Sequence, residues 1–204
     1  MRVILRICSI LCIAAIVSCS NNDAAPSEPK ASDNTIQTEV PKETVISKKK
    51  LIDDLTYNED EKKLLIINGK EHLSKFIQIE FHPFGFYVPE TMEVFSFEDG
   101  SHIGLNNAEF ISLIEVDRLS NPNNIQESIG GGGDTLFVDE ELSIYEEYIG
   151  STIDSNGAVR KDGFLIKHAA APDTVIDFRY FDKNKETVLP TFIEVAKNIK
   201  YIDK

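Results

Sequence analysis

Cysteine is scarce in this chain and confined to one end: the three cysteines of its 204 residues are Cys8, Cys12 and Cys19. No disulfide and no thiolate metal site can therefore form within residues 20–204, and the core must hold without covalent staples even where export would permit them. Positive charge is also short, with 21 lysines and arginines against 34 aspartates and glutamates and a formal net charge of −13. A surface of that sign is repelled by phosphate backbones and anionic headgroups. This argues against nucleic acid and against electrostatic docking on lipid, and it leaves room for a basic or cationic partner. The same acidity also serves simply to keep an exported protein soluble.

Catalytic signatures are missing too. His72, His82, His102 and His168 are scattered with no H-E-x-x-H or other close metal spacing, so they read as strand or surface residues. No G-x-S-x-G elbow offers a serine nucleophile. The run Gly130–Gly133 lacks the Lys-Ser/Thr of a phosphate loop and follows a helix instead of opening one, so it reads as a mobile loop. Asp154-Ser155-Asn156 and Asp182-Lys183-Asn184 begin like calcium loops but lack the glycine and glutamate that complete one, and read as turns. Asp139, Glu140 and Glu141 read as a solvated cluster, or else as a weak cation site. The sequence thus nominates no catalytic residue, no metal and no cofactor.

A long apolar run is likewise absent. The longest, Ile7 to Val17, follows Arg2 and Arg6 and falls short of the roughly 20 residues that a membrane span needs. What it does match is a leader: a positive segment, an apolar segment and a small residue, Ser18, at the cut. Ile16-Val17-Ser18-Cys19 then resembles the lipobox of bacterial lipoproteins, with a branched apolar residue three before the cysteine and a small residue just before it. Cys12, preceded by bulky Leu11, fits less well. The resemblance implies that a peptidase recognises Ile16, Val17 and Ser18 and cuts before Cys19. Its thiol would then carry a diacylglycerol, and its freed amine a further acyl group such as palmitate. Each buried methylene contributes about 0.8 kcal/mol; one chain holds reversibly and two anchor stably. The expected lipid partner is therefore a bilayer, reached through acylated Cys19 from its extracytoplasmic side. Residues 1–18 would be removed, which leaves enough chain for one ordinary domain and a tail.

Residues 19–50 are rich in Asn, Asp, Ala, Pro, Ser, Glu, Thr and Lys, with little apolar periodicity, and should stay disordered. Such a linker spans roughly 30 Å and lets the domain stand clear of the headgroups. Lys48-Lys49-Lys50 reads as part of this solvated stretch.

Residues 51–204 then read as one domain, with a core over about 75–204. Leu64–Ile67 reads as a short buried strand followed by an Asn68-Gly69 hairpin turn, in competition with a helix over Asp53–Leu65. Ile77, Ile79 and Phe81 alternate with polar residues as in a half-buried strand. The aromatic stretch Phe81–Pro89 reads as edge strand and core, and a ligand-facing cluster is the alternative. Strands are expected around His102–Leu105 and Glu109–Asp117 after a turn at Glu98–Ser101. A short helix begins at Asn121-Pro122 and buries Ile125 and Ile129. Leu142–Ile149 reads as a strand with Glu146 and Glu147 on a charged face. Asp154–Gly157 reads as a turn, and Phe164–His168 and Ile176–Tyr180 as a paired hairpin. Last comes a helix capped by Thr187, with Pro190 in its first turn and Val188, Phe192, Val195, Ala196 and Ile199 on one stripe. The fold class is α+β, a largely antiparallel sheet packed by a C-terminal amphipathic helix after a disordered tether.

Gly85-Phe86-Tyr87-Val88-Pro89, followed by paired strands, a helix, a hairpin and a closing helix that ends in Asn198-Ile199-Lys200-Tyr201, resembles the PsbP/Mog1-like domains of some bacterial lipoproteins. That resemblance implies a binding or assembly factor and carries over no catalytic residue. The leading expectation is a membrane-anchored, non-catalytic module that binds a protein or envelope component. The alternatives are an envelope hydrolase or transferase that works with Asp and Glu, and a small-solute-binding lipoprotein.

Overall fold

A computed structural model describes residues 47–98, 100–116, 129–130 and 133–203. The domain is α+β and largely antiparallel, with two sheets and one long C-terminal helix. The smaller sheet has the order β1-β2-β3-β11, made of Lys62–Ile67, Lys70–Gln78, Phe84–Pro89 and Lys200–Tyr201. The larger has the order β4-β5-β6-β10-β9-β8-β7. Its strands are β4 Glu93–Phe97, β5 Gly100–Asn106, β6 Glu109–Val116, β7 Thr135–Phe137, β8 Tyr148–Ile153, β9 Val159–Ile166 and β10 Asp173–Phe181.

The β1–β2 turn follows from its sequence. Asn68 and Gly69 both sit at positive φ, 51° and 73°, the twist that a two-residue hairpin requires. β1 is buried on one face alone, with Leu65 and Ile67 inside and Leu64 and Ile66 in solvent. The competing helix over Asp53–Leu65 does not form. Phe81 does not continue the alternation of Ile77 and Ile79 either, because β2 ends at Gln78. Phe81 turns into the left-handed region, φ 66°, and is 79% exposed.

β3 is buried along its whole length and lies between β2 and β11. The expected edge strand is thus an interior one. Pro83 lies just before the strand and Pro89 ends it, where β11, which pairs with Phe84 and Gly85 alone, does not reach. Gly85 is required by packing: a Cβ there would lie 2.4 Å from Phe76 Cζ and 2.8 Å from the Ile77 carbonyl oxygen. The Phe76 ring fills that space, stacked on Tyr57 at 4.0 Å and set edge-on to Tyr87 at 5.3 Å.

The helix α1 spans Lys185–Lys197 and follows a 3-10 turn at Asp182–Asn184. It contacts β1 and β3 of one sheet and β6 and β10 of the other, so it lies between the sheets. That placement explains why it buries Leu189, Thr191 and Ile193 as well as the expected stripe. Phe192 meets Phe178 at 5.5 Å and Tyr180 at 6.3 Å. Asn184 precedes the helix, and Thr187 lies inside it, donating its hydroxyl to the Asn184 carbonyl at 2.9 Å. Pro190 therefore falls in the second turn instead of the first. Lys200–Tyr201, expected at the end of the helix, forms β11.

The strand expected over Leu142–Ile149 begins only at Tyr148. The preceding residues coil into turns, because the Asp139 carboxylate accepts the Glu141 and Leu142 amides at 2.9 and 3.2 Å. The helix expected after Asn121-Pro122 lies outside the described residues, apart from Ile129, which is buried.

Candidate functional site

The residues before β1 form a strap that joins the two sheets. Its backbone meets the larger sheet's approach loop first, where the Lys49 amide donates to Ile144 at 2.8 Å and the Glu146 amide donates to Lys49 at 2.9 Å. The Glu147 carboxylate then accepts the Leu51 and Ile52 amides at 2.8 and 3.3 Å. Glu147, read from the sequence as part of a charged strand face, is thus a clasp. Leu51 and Ile52 are buried beside it. Further along, the Tyr201 amide donates to Leu55 at 2.7 Å, and Lys200 Nζ donates to the Asp54 carbonyl at 2.6 Å. The Tyr87 hydroxyl donates to the Asp60 carbonyl at 2.9 Å. The strap therefore passes from one sheet to the other with backbone groups of Lys49, Leu51, Ile52, Asp54, Leu55 and Asp60 engaged.

Two clefts flank the strap and share Leu55. One, of about 380 Å³, is lined by Lys50, Ile52, Glu146, Glu147, Ile149 and Lys167 among others. The other, of about 510 Å³, takes in Tyr57, Glu59, His168, Tyr201 and Asp203. His168 stacks on Tyr201 with ring centroids 3.9 Å apart, and Tyr201 meets Phe84 edge-on at 5.7 Å. Glu59 stands at φ 63°, a left-handed conformation that costs a non-glycine residue free energy.

Sequence reasoning missed a buried charge network beside α1. Arg160 donates from Nη2 to Asp139 at 2.5 Å and from Nε to Asp162 at 2.9 Å. Asp162, fully buried, also accepts the Ser151 hydroxyl at 2.5 Å and the Tyr180 hydroxyl. Lys185 Nζ reaches Asp139 at 2.9 Å. Burial by itself would depress the Arg160 guanidinium, but Asp162 and Asp139 hold it protonated. Burial by itself would likewise push the Asp139 carboxyl up, but Lys185, Arg160 and the Leu142 amide hold it down at about 2. Asp139, expected in a solvated cluster, is instead 9% exposed and paired with two cations. Arg160 and Asp162 alternate on one strand and so share a face, which is the sequence signal that could have found them. Chemically, the network fixes the Asp139–Tyr145 turns and the start of α1 to the sheet.

The other predicted features are mostly local. Asp154 spends its carboxylate on its own turn, accepting the Ala158 and Val159 amides at 2.7 and 3.1 Å. Asp182 lies 3.8 Å from Arg160. The fold brings His82 and His102 together: His82 Nδ1 is 3.7 Å from Glu115, and His102 packs between Phe97 and Phe110. Burial pushes the His82 imidazole below its ordinary value, Glu115 pulls the other way, and His102 adds to the depression. Among the described residues no group of three His, Cys, Asp or Glu side chains could hold a metal ion. None of the described helices is long and apolar enough to cross a membrane. Ile16, Val17, Ser18 and Cys19 lie outside the described residues.

The chain matches no family model, no curated protein and no solved structure. Its function has to be argued from its own residues.

One surface stands out for that purpose, the outer face of the β1–β2 hairpin. Lys62 faces Lys75, Leu64 faces Leu73, and Ile66 faces Glu71 across the strands. Leu64, Ile66 and Leu73 are 56%, 61% and 43% exposed.

Proposed function

We propose that the chain is an extracytoplasmic lipoprotein, held to a membrane through acylated Cys19, whose folded domain is a non-catalytic binding or assembly module for a protein or envelope component. The hairpin face carries this reading. Like charges placed directly opposite one another on a sheet are destabilising, and three neighbouring exposed aliphatic side chains contribute little to the domain's own core. Such a face suits a partner that supplies apolar cover and negative charge. Among the described residues β1 is also the outer strand of its sheet, so an edge that no described strand covers adjoins the same patch, where an added strand could pair. The strap supports the reading from the other end, because it enters the domain at a clasped, fixed position after a long N-terminal segment. The PsbP/Mog1-like resemblance belongs to the same proposal, supported by an antiparallel sheet closed with a C-terminal helix.

Site-specific crosslinking in cells tests it. A photoreactive residue at position 73 is expected to give one discrete adduct in the membrane fraction, and one at exposed position 186 on α1 none. No adduct from position 73, or turnover of an envelope glycan by the purified chain, would overturn the reading.

A further inference from the structure

We propose that the larger cleft beside the strap is a binding site for an organic cation, an amino or guanidino group carried on an apolar stem. Among the described residues, its lining includes Glu59 and Asp203 and no lysine or arginine. None of the ion pairs between described residues involves either carboxylate. The neighbouring cleft contrasts with it, since Lys50 and Lys167 there balance Glu146 and Glu147. The larger cleft also has aromatic walls. Tyr57 is stacked on Phe76, and Tyr201 is set edge-on to Phe84 with His168 stacked on one side, so both rings are held in place and a cation would meet the sides these rings leave open. An aromatic face attracts a cation within about 6 Å through its quadrupole, and the apolar stem would lie along Leu55. A volume of about 510 Å³ lies in the range of small-ligand sites. Glu59, one of the two acidic residues of the lining, stands in the left-handed backbone region. A neutral glycan would use the rings and leave both carboxylates without a counter-charge, which is why a cation is favoured.

Two sources carry this chemistry, a basic side chain of a peptide and a free polyamine. The site is independent of the hairpin and of the anchor, so its failure would leave the proposed function standing. The test is a titration of the full chain in detergent with trilysine, spermidine or chitotetraose, followed by the ring NMR signals of Tyr57, Tyr201 and His168. Trilysine or spermidine is expected to shift those signals saturably and to weaken as sodium chloride rises. Whichever of the two binds more tightly identifies the source. Glu59→Gln and Asp203→Asn should each weaken binding by about two- to fivefold, while Glu71→Gln on the hairpin leaves it unchanged. The proposal is overturned if neither cation shifts the rings below about 10 mM. It is equally overturned if chitotetraose binds as well to the Glu59→Gln/Asp203→Asn double variant as to the wild type.

Discussion

Asp177 lies in the middle of β10, between Ser112 of β6 and Gly163 of β9, and its Oδ1 is buried with no hydrogen-bond partner. Burial pushes its carboxyl from 3.8 up to about 7, although Lys161 opposes the shift. The folded chain thus holds this proton more tightly than the unfolded chain. The stabilisation from this group is complete below pH 3.8 and is lost as pH rises to about 7, an effect of at most about 4 kcal/mol. Asp139 has the opposite sign: its carboxyl is held at about 2, so its stabilisation is present above pH 3.8 and lost as pH falls toward 2. Thermal melts should therefore show a higher Tm at pH 5 than at pH 8, and Asp177→Asn should remove most of that difference. Arg160→Met should cost about 3–5 kcal/mol in chemical denaturation, because it leaves the fully buried Asp162 without its cation and Asp139 with Lys185 alone. Gly85→Ala should cost about 1–3 kcal/mol by forcing Phe76 off Tyr57. Neither the burial of Asp177 nor that of Asp139 was legible in the sequence. Asp139 looked like its exposed neighbours Glu140 and Glu141, and its burial depends on an arginine brought in from β9.

At the scale of elements, the local patterns were the legible part. The Asn68-Gly69 turn, the strands β6 and β10 and the apolar spacing of α1 all follow from short-range rules, and each formed over most of the expected residues. The ends of elements moved when distant groups took over. Glu147 spends its carboxylate on the strap and not on a strand face, so β8 starts late. The 3-10 turn at Asp182–Asn184 leads straight into α1, whose start at Lys185 precedes Thr187. The strap itself has no periodicity and was not legible, because its bonds go to residues about 95 and 146 positions away. Glu147→Ala should release it, which hydrogen exchange would register as faster exchange at the Leu51 and Ile52 amides with β10 unaffected. The hairpin face predicts a separation of stability from binding. Leu64→Thr with Leu73→Thr should change unfolding free energy by no more than about 0.5 kcal/mol, while abolishing any crosslink made from that face.

At the scale of the whole molecule, the α+β class was readable from strand count and from the closing helix. The division into two sheets was not. Pairing partners in an antiparallel fold are set by long-range contacts, and a two-residue strand such as β11 has no signature of its own. The larger clefts exist because the strap bridges those two sheets, so they too were beyond the reach of the sequence. The anchor is the reverse case: it rests on four consecutive residues. Its direct test is the mass of the amino-terminal peptide of the protein extracted from its membrane. The account predicts a peptide that starts at Cys19 and carries the mass of a diacylglycerol, absent from a Cys19→Ala chain. A peptide with unmodified Cys19, or one that still includes Ile16-Val17-Ser18, would contradict it.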